Sequence, residues 1–276
     1  MNKGKIVVFG VVLAIGLSSA AAFAQGDAKK GATVFKKRCS ACHTIDKGGK
    51  NKIGPNLFGV YGNKPGLAKG YKYSPSYAQS ADQGLVWNDD TIAAQSGFPP
   101  HPHRDMEIVT FVRSGAISHR DSLGNEGRTV AGDVQVMSAG TGITHAEYNL
   151  EDEQTTLFQI WIIPDRTGDK PGWGQRAFPK ATREGGFEVL ASGTPDVDDA
   201  LPIRTDAKVA ATTLSTGQTA VWTTSPDRHQ YLVAPTGRVR VNGVEAQPRD
   251  GIAVTGESEI SVEALDDVEV VLVDAR

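Results

Sequence analysis

The chain holds 276 residues with 29 basic and 32 acidic side chains, a formal net charge of −3 at pH 7, and only two cysteines. Such a length fits two or three domains, two thiols exclude a four-thiolate zinc site, and neither short-period repeats nor low-complexity tracts occur. Charge is unevenly spread: residues 25–86 carry 11 basic and 3 acidic side chains, net +8, whereas residues 87–276 carry 16 and 29, net −13. A contrast of that size points to segments with separate surfaces. The basic one is short and carries the cysteine motif described below, which argues against nucleic-acid binding.

Met1 to Ala24 reads as a secretory signal peptide. Lys3 and Lys5 supply a basic start, Ile6 to Leu17 an apolar run, and Ala22-Phe23-Ala24 a small-x-small cleavage site before Gln25. The apolar run is short for a membrane span, so the expected mature chain is periplasmic and has no membrane span after cleavage. Asp27 to Arg38 then predicts a helix with Asp27 as N-cap, leading into Cys39-Ser40-Ala41-Cys42-His43. Two thiols three positions apart, followed at once by a histidine, form the attachment site of a covalent haem c. The cysteines add across the two porphyrin vinyl groups, and His43 reaches the iron from the proximal side.

The next stretch is rich in glycine and lysine and reads as loops. It contains Gly54-Pro55-Asn56-Leu57, Gly70-Tyr71-Lys72-Tyr73-Ser74-Pro75 and Trp87. With the haem motif, these residues resemble class I cytochromes c of the mitochondrial type, from about Gly26 to about Thr91. The resemblance implies that the Pro55 carbonyl accepts a hydrogen bond from His43 and that Tyr73 and Trp87 bond a haem propionate. It also implies that lysines around the haem edge dock a periplasmic redox partner with an acidic surface. The family's distal methionine loop and last helix have no counterpart: Met106 and Met137 lie in the other half, and the helix face at Gly31 and Phe35 loses its usual cover. The segment therefore reads as a truncated cytochrome, its iron five-coordinate, water-ligated or captured by a foreign side chain.

After Trp87 the texture changes to short alternating runs: Glu107 to Val112, Val134 to Met137, Leu157 to Ile162, Tyr231 to Val233, Arg238 to Gly243 and Val268 to Val273. Asp121-Ser122-Leu123-Gly124-Asn125 and Ala131-Gly132-Asp133 punctuate them, which predicts a sandwich or barrel. A looser Gly/Pro/Asp-rich connection spans about Asp165 to Asp206. Two pairs stand out, His101-Pro102-His103 and His145-Ala146-Glu147. Residues i and i+2 of a strand share a face, so two such pairs on neighbouring strands can converge on one ion. Three imidazoles and a carboxylate suit Fe(II), and less selectively Mn, Ni or Zn. His119 reads as a solvated or hydrogen-bonded histidine, and His229 has no second histidine near it.

Residues 97–107, Gly-Phe-Pro-Pro-His-Pro-His-Arg-Asp-Met-Glu, and residues 137–147, Met-Ser-Ala-Gly-Thr-Gly-Ile-Thr-His-Ala-Glu, resemble the two metal motifs of the pirin family of bicupins. The resemblance covers about Asn88 to Arg276. It implies two stacked cupin barrels, a metal in the first only, and His101, His103, His145 and Glu147 as its ligands. Glu107 is the rival carboxylate, read as supporting the ligands from behind, and Asp105-Met106 replaces a Gly-Phe pair of many pirins. Some members oxidise flavonols such as quercetin with O₂; others regulate or bind. The stretch Val86 to Ile92 is readable in both families, so a fusion across it is expected, with the first pirin strands lost and backbone edges exposed.

The expected fold class is α+β multidomain, a small helical haem c fragment followed by an all-β double cupin. Its segments are a signal peptide (1–24), a truncated cytochrome c (25–91), a metal-binding N-terminal cupin (92–164), a connection (165–206) and a C-terminal cupin (207–276). The expected function is an exported oxidoreductase with haem c beside an Fe(II)-type centre. It would act on a small aromatic substrate such as quercetin, with Glu147 either as base toward the substrate hydroxyl or as a purely structural ligand. The alternatives are a non-enzymatic electron carrier or binding protein with the cupins as scaffold, or an inactive fusion.

Overall fold

The computed structural model describes residues 28–41, 43–52, 55–58, 84–194 and 199–276. The expected signal peptide, the Asp27 cap, Cys42 and Tyr73 lie outside the described residues. The chain divides after Phe58 into two compact units.

In the first unit, α1 (Ala28–Arg38) is built from the alanine and lysine residues that favour helix. At its end the N–H groups of Cys39 and Ser40 both donate to the Phe35 carbonyl, at 2.9 and 3.0 Å, an ordinary helical bond followed by the wider 6→1 bond common at helix C-termini. The chain then folds back: Leu57 N–H donates to Thr44 O at 2.8 Å, and Asn56 N–H donates to the Asn51 side chain at 2.7 Å.

The described residues of the second unit form strands and their connections, apart from one short 3₁₀ turn. Its first barrel comprises β1 (Leu85–Ile92), β2 (Ser96–His103), β3 (Glu107–Ser114), β4 (Ala116–Asp121), β5 (Glu126–Val130), β6 (Val134–Ser138), β7 (Ile143–Asn149), β8 (Thr155–Ile162) and β9 (Gly172–Arg176). A five-stranded sheet, β1-β8-β3-β6-β9, faces a four-stranded one, β2-β7-β4-β5. The second barrel comprises β10 (Glu188–Ser192), β11 (Leu201–Pro202), β12 (Ala207–Leu214), β13 (Thr219–Thr223), β14 (His229–Val233), β15 (Val239–Val241), β16 (Val244–Ala246), β17 (Gly251–Thr255), β18 (Glu259–Ala264) and β19 (Val268–Ala275). Its sheets run β11-β10-β12-β19-β14-β17 and β13-β18-β15-β16.

The largest core joins the two barrels. Val109, Phe111, Phe158 and Ile160 of the five-stranded sheet pack with Leu190, Val209, Val271 and Val273 of the six-stranded one. Those two sheets are thus covered on both faces, which explains why β3 and β19 read as near-continuous apolar runs. A separate apolar cluster, including Leu232, Ile260, Val262 and Leu272, fills the second barrel.

Two sequence expectations change. The α+β class reduces to an all-β double barrel, with α1 the single α-helix among the described residues. The connection over 165–206 is not loose, since it supplies β9, the 3₁₀ turn Lys180–Arg183, β10 and β11. Glycine-rich β9 lacks strand propensity. It forms because β6 pairs it in register, Met137 with Trp173 and Gln135 with Gln175, and because its alternate residues fill the barrel.

Candidate metal centre

The site lies inside the first barrel, where strand alternation gathers its side chains. β2 is an edge strand with an irregularity between Phe98 and His101, and it is at such a place that Pro99 and Pro100 are tolerated. The shift sets His101 opposite His145. On the other side of β7, His119 stands opposite Glu147 and Asp121 opposite His145. No side chain fits at Gly97, where a Cβ would lie 2.2 Å from the Glu147 carbonyl oxygen. Close approach of β2 to β7 therefore requires glycine there. Asp105, just past β2, has φ +46°, a conformation glycine takes easily; its carboxylate accepts from Gly168 N–H at 2.8 Å.

His101, His103 and His145 each place a ring nitrogen within 4.8 Å of the others. Their ring centroids are 4.4 Å apart for His101 and His145, and 4.9 Å for His103 with either. The Nδ1 of His101 lies 2.8 Å from the Pro99 carbonyl, which leaves its Nε2 as the lone-pair nitrogen. The Nε2 of His145 is buried without a hydrogen-bond partner. Burial, reinforced by the neighbouring imidazoles, lowers His103 to a pKa of about 4 and His145 to about 3. Both rings are neutral at physiological pH, as ligation requires. A buried orphan nitrogen among neutral imidazoles fits a divalent cation.

Glu147 is buried and clamped. Gln135 Nε2 donates to one carboxyl oxygen at 2.6 Å, and Gln159 Nε2 donates to the other at 2.8 Å. Gln159 is itself oriented by the Trp161 indole N–H at 2.9 Å, a group that only donates. Desolvation raises the Glu147 pKa to about 7 against the lowering effect of the two amides. A carboxyl with a raised folded-state pKa favours the folded state when protonated, and that contribution is lost as pH rises through the folded value. Metal-free protein should therefore lose stability relative to its Glu147→Gln variant between about pH 4.5 and 7, by on the order of 3 kcal/mol. Urea unfolding at several pH values measures the difference.

The four expected ligands are not one group. The three imidazoles converge, while Glu147 falls in an adjoining group with His119 and His145. Glu107 does not support them. Its parity in β3 turns it, with Val109 and Phe111, to the outer face of the five-stranded sheet. There its carboxyl accepts from Ser138 Oγ at 2.6 Å and from Arg204 N–H at 3.2 Å. Met137 packs with Ile108, Ala139 and Ile143. Trp87, expected to bond a haem propionate, instead lies in β1 and packs on Phe158 and Tyr231 at 5.1 and 5.7 Å.

His119 is hydrogen-bonded as expected but buried rather than solvated. The residues that sequence reading missed are Asp121, Gln135, Gln159, Trp161 and Trp173. His119-Arg120-Asp121 repeats the i, i+2 spacing of the two metal pairs, a signal that was present; the glutamines carried none. His229 opens β14 and joins no metal-capable group among the described residues. In the first unit, Cys39 is half-buried with a free thiol, and His43 Nδ1 lies 2.8 Å from the Pro55 carbonyl.

Fold and site together define a double β-barrel with a histidine cluster in its first barrel. The pirin family model matches residues 68–162, and that of the quercetinase C-terminal cupin domain matches residues 189–275. A pirin-like protein of Caulobacter vibrioides is 60% identical over 190 residues, covering 69% of this chain and 82% of that protein. Quercetin 2,3-dioxygenase of Escherichia coli K12 is 40% identical over 204 residues, covering 73% and 86%. The crystal structure of a bacterial pirin from Escherichia coli in complex with nickel(II) matches with a TM-score of 0.65 at 38% identity, over 74% of this chain and 86% of that one. The chain belongs to the pirin family of bicupins.

Proposed function

We propose that this chain is an exported dioxygenase of the pirin type that acts on a flavonol-like aromatic substrate. A divalent ion, Fe(II) or another such as Ni(II), would be held by His101, His103 and His145 with Glu147 beside it. The observation that carries this reading is the convergence of three imidazoles, one of which, His145, has a buried and unpartnered Nε2. The name of the Escherichia coli quercetin 2,3-dioxygenase and the nickel(II) in its bacterial pirin support it.

When bound, the ion supplies Lewis acidity toward a hydroxylated ring. The protein's own groups do the rest. Glu147, with a proton affinity near neutrality, is suited to take the proton of a substrate hydroxyl at a carboxyl oxygen. Gln135 and Gln159 hold that carboxyl in place. Trp161 stands edge-on to His103 at 4.9 Å, and Trp173 stacks on His119 at 4.7 Å, so indole rings wall one side of each of these imidazoles.

The N-terminal segment is proposed as a haem c carrier: Cys39 and Cys42 would hold the group, His43 would supply a ring nitrogen to its iron, and the haem would supply electron exchange with an acidic periplasmic partner. The His43–Pro55 hydrogen bond supports this assignment, since it engages Nδ1 and leaves Nε2 for iron. Two measurements test the two halves. An oxygen electrode with quercetin and Fe(II)- or Ni(II)-loaded protein should show uptake; none would favour a binding or carrier role. Mass spectrometry of protein exported by a haem-attaching host should find porphyrin mass on the N-terminal peptide. An unmodified peptide would remove the haem half.

A further inference from the structure

Behind the histidine cluster lies a chain of hydrogen bonds that the ligand set does not require. Asp121 Oδ2 is 3.2 Å from His119 Nε2, and His119 Nδ1 is 3.4 Å from His145 Nδ1. All three side chains are buried. We infer that Asp121 and His119 are positioning residues that fix the proton of His145 on Nδ1, freeing its Nε2 lone pair for an ion shared with His101 and His103. This deepens the metal-centre reading above and rests on it for its function, though not for its geometry.

The assignment follows from counting donors. Asp121 already accepts three N–H groups: Leu123 N–H at 2.9 Å and Asn125 N–H at 3.0 Å on Oδ1, and Asn125 Nδ2 at 2.9 Å on Oδ2. A carboxylate only accepts, so His119 donates to it through Nε2–H. The other nitrogen of a neutral His119 then carries a lone pair, and it faces His145 Nδ1. Only one proton fits between two ring nitrogens, so His145 must supply it from Nδ1. Its remaining nitrogen is Nε2, the atom found buried and unpartnered. A half-turn of the His119 ring would put carbon in place of both bonded nitrogens and forfeit both contacts, and tilting of the ring is opposed by Trp173. Their planes lie 10° apart, and Trp173 is wedged against Gly127, where a Cβ would come within 2.3 Å of the indole.

The substitution Asp121→Asn reverses the polarity. The carboxamide oxygen, at the Oδ1 position, keeps the backbone N–H bonds from Leu123 and Asn125; the amide nitrogen, at the Oδ2 position, gives up the bond from Asn125 Nδ2 and turns an N–H to His119 Nε2, which must accept. The His119 proton then moves to Nδ1, His145 Nδ1 becomes the acceptor, and the His145 proton is displaced to Nε2, where it competes with the ion. His119→Phe keeps an aromatic ring against Trp173 and removes the acceptor.

The test uses the full chain labelled with ¹⁵N-histidine, metal-free, with long-range ¹H–¹⁵N correlation spectra assigned by the His119→Phe variant. The expected result is an Nδ1-protonated His145 and an Nε2-protonated His119, with the tautomers exchanged in Asp121→Asn. Ni(II) affinity should fall about 10- to 100-fold in either variant, the usual cost of losing a group that orients a ligand. A wild-type His145 protonated on Nε2 overturns the inference, as does wild-type Ni(II) affinity in both folded variants. If Asp121→Asn does not fold, the wild-type spectrum and His119→Phe still decide. Protein that takes up no Ni(II) yet shows the expected tautomers would refute the metal centre and leave the hydrogen-bond relay standing.

Discussion

Replacing His101 and His103 together by alanine should abolish tight binding of one divalent ion per chain and, with it, the proposed oxygen uptake with quercetin. Both side chains are only half-buried and sit on an edge strand of the four-stranded sheet, so their removal leaves the large inter-barrel core intact. Of the convergent group His145 alone remains, and its neighbours His119 and Glu147 are already engaged by Asp121, Gln135 and Gln159, so too few free donors are left to hold a divalent ion tightly against water. The fall in Ni(II) affinity should exceed about 100-fold, the upper end of what losing a mere supporting group costs. His229→Ala, outside the metal-capable groups of the described residues, should leave it unchanged. Calorimetric titration with Ni(II), with thermal unfolding in parallel, separates loss of ligands from loss of fold. Equal affinity in wild type and double variant would mean that the ion binds elsewhere.

The second large effect concerns stability. Arg183 is fully buried in the 3₁₀ turn between the barrels. It donates to Glu269 Oε1 of β19 at 2.7 Å, to the Phe178 carbonyl at 2.7 Å and to the Gly132 carbonyl at 3.2 Å. Its guanidinium also lies 5.4 Å from the centre of the Phe111 ring, so one side chain touches both barrels. Arg183→Ala removes these bonds and leaves Glu269, itself 8% exposed, with only the Lys180 ammonium at 3.8 Å. Breaking one half of a buried pair costs about 3–5 kcal/mol, whereas replacing both halves by apolar groups of similar volume is often neutral. Arg183→Ala should therefore lower unfolding free energy by that amount, and Arg183→Met with Glu269→Leu should recover most of it. Urea denaturation checks both. A loss below about 1 kcal/mol for Arg183→Ala would mean that the pair contributes nothing net.

Much of this architecture is written in local patterns. Runs such as Leu157 to Ile162 and Val268 to Val273 announce strands because burial on alternate faces, or on both, leaves a readable period. The histidine pairs announce the site for the same reason: i and i+2 share a face whatever the neighbouring strand. What stayed hidden depends on pairing between distant segments. β9 has two glycines in five residues and exists only because β6 pairs it. Glu107 reads in sequence as a support for the ligands, but the parity of β3 relative to the barrel is fixed by pairing with β6 and β8, and it points the carboxyl the other way. Trp87 fits a cytochrome motif and a barrel strand equally well as sequence; its pairing with Ile160 of β8 places it in the inter-barrel core. Gln135 and Gln159 reach Glu147 from two strands of the opposite sheet, a convergence that no linear spacing encodes.

Whether three imidazoles of the first barrel hold one ion is tested most directly by nickel K-edge X-ray absorption on the Ni(II)-loaded full chain. The expected spectrum shows a coordination shell with imidazole scattering from three histidines, lost in the His101→Ala, His103→Ala variant. A shell lacking imidazole scattering, or one that survives the double substitution unchanged, contradicts the three-histidine centre.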